Sequence, residues 1–168
     1  RNIRGEMNIP PSKPLPLFVK NTSPEQKAII EAKIALKNKE IPVGAIVVKD
    51  NQIIGKGYNQ IELLKDATAH AEMIAITSAA GYMNDWRLNN CDIYVTLEPC
   101  CMCAGAIVKS RLKNVFFGAY NKVDGCVSSL YNLCNEPRFN HQSGIKGGIL
   151  ADECSYLFQS FFQDSSIN

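Results

Sequence analysis

Two hydrophobic periods alternate along this chain. Ala28, Ala32, Ala35 and Leu36, with Ile29 beside them, form an apolar stripe at helical spacing. It follows Ser23-Pro24-Glu25-Gln26, a helix start with an N-cap serine, proline at the first helical position and glutamine three residues on. Lys33, Lys37 and Lys39 load the carboxyl end, where the helix dipole favours cations, and Pro42 forbids continuation. Residues 43–48 and 52–58 flank the polar Lys49-Asp50-Asn51 and predict a β-hairpin. After a loop, residues 69–80 read as a small-residue helix closed by Gly81. Residues 92–97 are a β-branched, aromatic strand, and 100–110 a helix entered through Pro99. A short buried strand spans 114–117, residues 124–134 are read as partly helical, 143–149 stay unassigned, and 152–162 form a terminal amphipathic helix. Strands alternating with helices after an opening hairpin predict a three-layer α/β sandwich.

The amino terminus breaks both periods. Four of eight prolines fall between residues 10 and 16, so this segment is read as an extended arm lying on the surface, with partner docking as the other reading. Residues 1–22 are taken as a proline-containing extension and 23–168 as one domain, with Met7 a candidate native start.

Composition is that of a globular protein: 46% hydrophobic, 20% charged and 8% aromatic over 168 residues. The longest apolar run, residues 41–48, is far short of the roughly 20 residues of a membrane span. Net charge is only +2, so any nucleic-acid contact has to come from a local patch. Residues 104–150 carry six basic side chains against Asp124 and Glu136, whereas the last eighteen residues carry Asp152, Glu153 and Asp164 and no base. Seven cysteines, at 91, 100, 101, 103, 126, 134 and 154, argue against a disulfide framework and for a reduced, cytoplasmic setting.

Cys100 and Cys103 lie three apart at the predicted start of a helix, so both thiolates can face one metal, and the unpaired N–H groups there favour the thiolate. His70, at another helix start, adds a nitrogen ligand. Three protein ligands leave a fourth position for water, which zinc activates near neutral pH. Glu72, near but not a ligand, is placed to take and return a proton. His-x-Glu followed by Pro-Cys-x-x-Cys matches an established signature of zinc nucleobase deaminases, and it is a pattern match rather than a deduction from spacing. A structural zinc site completed by His141 or a further cysteine is the competing reading. Cys101, about 100° round the helix from Cys100, is read as a packing residue. Cys91, Cys126, Cys134 and Cys154 are read as buried apolar residues and His141 as a structural hydrogen-bonding residue.

The chain resembles the bacterial tRNA-specific adenosine deaminases, of the cytidine deaminase-like fold, over residues 23–162. The likeness runs through Ile41-Pro42-Val43-Gly44-Ala45, Gly57-Tyr58-Asn59, Thr68-Ala69-His70-Ala71-Glu72, Tyr94-Val95-Thr96-Leu97-Glu98-Pro99-Cys100 and Cys103-Ala104-Gly105-Ala106. It continues in Phe117-Gly118-Ala119, Arg138-Phe139-Asn140-His141 and Gly148-Ile149-Leu150-Ala151-Asp152-Glu153-Cys154. The resemblance implies a mixed five-stranded sheet with helices on both faces. It implies one zinc per chain on His70, Cys100 and Cys103, Glu72 as proton shuttle, Asn59 bonding a flipped base, and Val43 and the Ala71 backbone bordering it. It also implies a tRNA anticodon stem-loop as substrate, conversion of its wobble adenosine to inosine, and a homodimer. Free-base or nucleoside deamination and a silent RNA-binding subunit are the alternatives.

Two places depart from the family pattern. Asn121 and Val123 stand where an acidic residue and a lysine are usual, and Phe161-Phe162 leads into Gln163-Asp164-Ser165-Ser166 rather than a basic tail. By resemblance position 121 lies near the target ribose, so Asn121 is read as a substrate-binding residue that separates RNA from DNA less sharply; a surface-loop role is the other reading.

Overall fold

A computed structural model describes residues 15–16 and 22–165. The segment around Met7 and the proline run from Pro10 lie outside the described residues, apart from Leu15–Pro16. Those two residues form β1, a minimal strand against the sheet edge, where a proline's missing N–H breaks no internal ladder.

The remaining elements are α1 (Pro24–Lys37), β2 (Gly44–Lys49), β3 (Gln52–Tyr58), α2 (Ile61–Leu64), α3 (Ala71–Met83), β4 (Asp92–Leu97), α4 (Cys101–Lys109), β5 (Asn114–Ala119), a 3-10 turn (Leu133–Asn135), β6 (Gly144–Lys146) and α5 (Ala151–Ser165). The sheet order is β1-β3-β2-β4-β5-β6. The β2–β3 and β2–β4 pairs are antiparallel, whereas β4–β5 and β5–β6 are parallel. This is the expected mixed five-stranded sheet, with β1 added at its edge. Helices α1 and α5 cover one face and α3 and α4 the other, each burying its own apolar cluster. Alternate residues of β2 serve both layers: Ala45 and Val47 pack under α3, and Ile46 and Val48 face the opposite way.

The expected start of α1 is realised in full. Ser23 Oγ accepts from the Gln26 N–H, and the Gln26 side-chain Oε1 accepts from the Ser23 N–H. Three expectations need correction. Helix α3 passes Gly81 and stops at Asn84, which takes the left-handed conformation at φ 52° and returns its N–H to Ala80 and Gly81. Residues 124–134 are turns, with helical geometry confined to the 3-10 turn, because the amides of Val127, Ser128 and Ser129 bond the Glu98 carboxylate instead of preceding carbonyls. Cys101 is exposed rather than packed. The other four non-cluster cysteines are buried, and His141 Nε2 lies 2.7 Å from the Leu112 carbonyl, as a structural residue would.

Glycines set how closely the helices approach the sheet. A Cβ at Gly44 would lie 2.1 Å from the Ala28 carbonyl oxygen of α1, and one at Gly57 would lie 2.2 Å from the Ala71 carbonyl oxygen of α3. One end of the sheet therefore gathers the start of β2, the ends of β3, β4 and β5, and the start of α3. At that end the Gly44 N–H bonds Thr96 Oγ1 at 3.2 Å, and the Glu98 N–H bonds the Ala119 carbonyl at 2.9 Å. Open α/β sheets place ligands beyond the carboxyl ends of their strands, and this is such an end.

Gly57→Ala is expected to destabilise the protein by about 1–3 kcal/mol or more, because the new methyl meets helix backbone. Gly81→Ala, which meets nothing within 4 Å, is expected to stabilise it by about 0.5–1 kcal/mol as a helix-interior replacement. Urea denaturation of both variants checks the pair of opposite signs.

Candidate active site and metal-binding cluster

His70 caps the amino end of α3 and Cys100 caps that of α4, so two helix starts face each other beyond the sheet. His70 Nδ1 lies 3.7 Å from Cys100 Sγ and 3.6 Å from Cys103 Sγ. Among the described residues these three are the one His/Cys/Asp/Glu group whose ligand atoms all fall within 4.8 Å of one another. Ligands on one tetrahedral zinc, with bonds of about 2.3 Å to sulfur and about 2.0 Å to nitrogen, are themselves separated by about 3.6 Å. The donor set and its spacing fit a metal. Among the described residues no fourth protein ligand joins the group: His141 is engaged at Leu112, and the other cysteines stand apart from it.

The three ligand side chains are electrostatically coupled, with one thiolate stabilised by its two partners. The Cys100 thiol is held down at about 4, first by its hydrogen bond with Cys103 and then, against burial, by His70. Cys103 is pushed up by the same sulfur–sulfur hydrogen bond and by burial. His70 is raised, chiefly by its bond with Cys100. Glu72, in the first turn of α3, is 4% exposed, and burial pushes its carboxyl up to about 7.

A cavity of about 170 Å³ opens beside this cluster. The sequence-derived residues Val43, Asn59, His70, Ala71, Glu72, Cys100 and Asn121 all line it, while Cys103 lies beneath, fully buried. Val43 is supplied by the approach to β2, Asn59 by the residue after β3, and Ala71 by the first position of α3. Asn59 is 4% exposed, and its Oδ1 has no hydrogen-bond partner. A buried acceptor left unpaired costs free energy that a ligand's N–H or O–H would recover. Asn121 Oδ1 accepts from the N–H groups of Val123 and Asp124, so this carbonyl is used within its own turn.

Ile41, Ile61, Leu97, Glu98, Asp124 and Phe158 complete the lining, and sequence reasoning did not single them out. Glu98 alone carried a signal, as a charged residue between an apolar strand and Pro99-Cys100. Burial alone would push its carboxyl up, but hydrogen bonds from Ser129, Ser128 and Asn121 outweigh that and hold it below the usual range.

A three-layer sandwich with a His/Cys/Cys cluster at two helix starts, and a buried glutamate beside it, defines a deaminase of the cytidine deaminase-like class. A family model of MafB19-like deaminases matches residues 21–152. A tRNA-specific adenosine deaminase of Bacillus subtilis is 44% identical over 139 residues, covering 83% of this chain and 86% of the relative. One of Aquifex aeolicus is 47% identical over 136 residues, covering 81% and 89%. A solved structure from a study of A-to-I editing by tRNA:A34 deaminases superposes with a TM-score of 0.75 at 35% identity, covering 77% of this chain and 94% of that one. The chain belongs to the tRNA-specific adenosine deaminase family. No helix among the described residues is long and apolar enough to cross a membrane.

Cys103→Ala is expected to lose metal and thermal stability together, because metal binding is coupled to folding. Cys101→Ser, at an exposed position outside the cluster, is expected to keep both. Elemental analysis and thermal melts of the two variants check this contrast.

Proposed function

We propose that this protein is a zinc-dependent hydrolase that converts the wobble adenosine of a tRNA anticodon loop to inosine and releases ammonia. The observation that carries the reading is the unpaired Asn59 Oδ1, buried in the same cavity as His70, Glu72 and Cys100. An acceptor waiting for a donor, beside a metal-type cluster and a buried carboxylate, is a binding site joined to a reaction centre. The deaminase names of the relatives support the substrate.

His70, Cys100 and Cys103 hold one zinc per chain, which when bound supplies an activated water at neutral pH. The target adenosine leaves the anticodon stack so that its base enters the cavity, since a stacked base cannot present its reacting carbon to a recessed site. Asn59 accepts a hydrogen bond from the nucleoside and fixes its rotation. Val43, with Ile41, Leu97 and Phe158, supplies apolar wall that excludes bulk water. The Ala71 N–H belongs to the first turn of α3, where amides lack helical partners and favour developing negative charge. Glu72 takes one proton from the attacking water and delivers it to the ring nitrogen, then takes the second from the new hydroxyl and delivers it to the departing amine. One C–O bond forms, one C–N bond breaks, and water and adenosine become inosine and ammonia. A carboxyl that burial pushes to about 7 is suited to both halves of that transfer. Asn121 belongs to the substrate-binding set through the turn it closes.

The test is a panel: an anticodon stem-loop beside free adenine, guanine, cytosine and cytidine. Inosine in the stem-loop alone is expected, whereas turnover of a free base or nucleoside alone would move the assignment to that substrate. Glu72→Ala is expected to retain zinc and bind the stem-loop while losing about a hundredfold or more in rate. Near-normal turnover would give the proton transfer to another residue. Homodimer assembly and a cytoplasmic setting belong to the same proposal, and sedimentation at twice the 18.6 kDa chain mass checks the first.

A further inference from the structure

Glu98 takes no part in the scheme above, yet it is 1% exposed, lines the cavity and stands two residues before Cys100. Its two oxygens accept five hydrogen bonds, all from one segment. Oε1 accepts from the Asn121 N–H at 3.2 Å and from the Ser129 hydroxyl. Oε2 accepts from the N–H groups of Val127 at 3.3 Å, Ser128 at 2.9 Å and Ser129 at 2.8 Å. Among the described residues no salt bridge reaches it. Oriented N–H dipoles therefore compensate a buried carboxylate that would otherwise be costly.

The donors belong to residues 121–129, which contain neither helix nor strand and supply Asn121 and Asp124 to the cavity wall. Besides its internal turn, this segment is tied by the Cys126 N–H to the Pro99 carbonyl at 2.8 Å. The segment thus leans on Glu98 and Pro99, the residues that lead into Cys100. Contact is close: a Cβ at Gly125 would lie 2.4 Å from the Glu98 carboxyl carbon. Among the described residues the same device recurs once. Glu40, 2% exposed, accepts from the N–H groups of Glu62 and Leu63 and so holds the helix that contributes Ile61 to the cavity.

We propose that Glu98 is a positioning residue for substrate binding, holding residues 121–129 as a cavity wall at a set distance from Cys100. This rests on the functional reading above and extends it to a residue outside the metal cluster. The chemistry requires a carboxylate. A glutamine has one accepting oxygen and would turn its own N–H2 group toward N–H donors that it cannot satisfy. The wall would then lift away while the metal ligands stay on their helix starts.

The experiment measures kcat and KM on an anticodon stem-loop for the unaltered protein, Glu98→Gln and Gly125→Ala. Zinc content and backbone amide exchange at residues 127–129 are followed in each. With zinc retained, the expected result for Glu98→Gln is a KM raised about tenfold or more, a smaller fall in kcat, and faster exchange at 127–129, as displacement of a binding wall requires. A KM within about twofold of the unaltered protein, or a fall confined to kcat, overturns the positioning role. If Glu98→Gln does not fold, Gly125→Ala, which crowds the same contact from the segment's side, decides by the same criteria. Loss of zinc in both variants also overturns the proposal, since Glu98 would then support the cluster rather than the wall. An unaltered protein that leaves the stem-loop untouched overturns the functional reading and this role together, whereas an active protein with unaffected variants overturns this role alone.

Discussion

The distance between two helix starts governs this structure. His70 begins α3, Cys100 begins α4, and their ligand atoms must meet within the span of one metal ion. Neither helix reaches that spot through its own propensity. Helix α3 gets there because Gly55 and Gly57 let its backbone lie directly on β3, and α4 because β4 stops at Leu97 and Pro99 leads directly into the helix start at Cys100. The parallel β4–β5 pair then carries the end of β5 to the same side of the site.

Packing and polar satisfaction divide the work around that junction. The apolar layer beneath α3 and α4, with Val95, Val115 and Phe117 of the sheet, makes the helix positions stiff. Segments outside the packed layers need another anchor, and here two buried carboxylates provide it, Glu98 for residues 121–129 and Glu40 for the short helix α2. Both accept backbone N–H groups, and Glu98 also accepts from the Ser129 hydroxyl, so these segments are held largely by their main chain. Asn59 is the exception: it is buried like the anchors, but its Oδ1 is unpaired.

Much of this was legible in the sequence because it rests on local rules. The Ser23 capping box, the hairpin around Lys49-Asp50-Asn51 and the Cys100/Cys103 spacing each depend on residues a few positions apart, and each is found where expected. What escaped depends on contacts between distant residues. Gly81 looked like a helix end, but the stop falls at Asn84, where a left-handed turn returns its N–H groups to the helix. The 124–134 segment reads as partly helical, yet Glu98, about thirty residues earlier, takes its amides. Cys101 was assigned to packing from its angular position, and nothing in the sequence revealed that this flank of α4 stays exposed. The cavity residues Ile61 and Phe158 come from elements with no motif to flag them.

An open, three-ligand metal centre underlies the proposed chemistry, and zinc-edge X-ray absorption of the purified protein tests it most directly. The expected spectrum has two sulfur scatterers at about 2.3 Å, with nitrogen and oxygen at about 2.0 Å filling the other positions. A third or fourth sulfur scatterer, or protein that takes up no zinc, would contradict it.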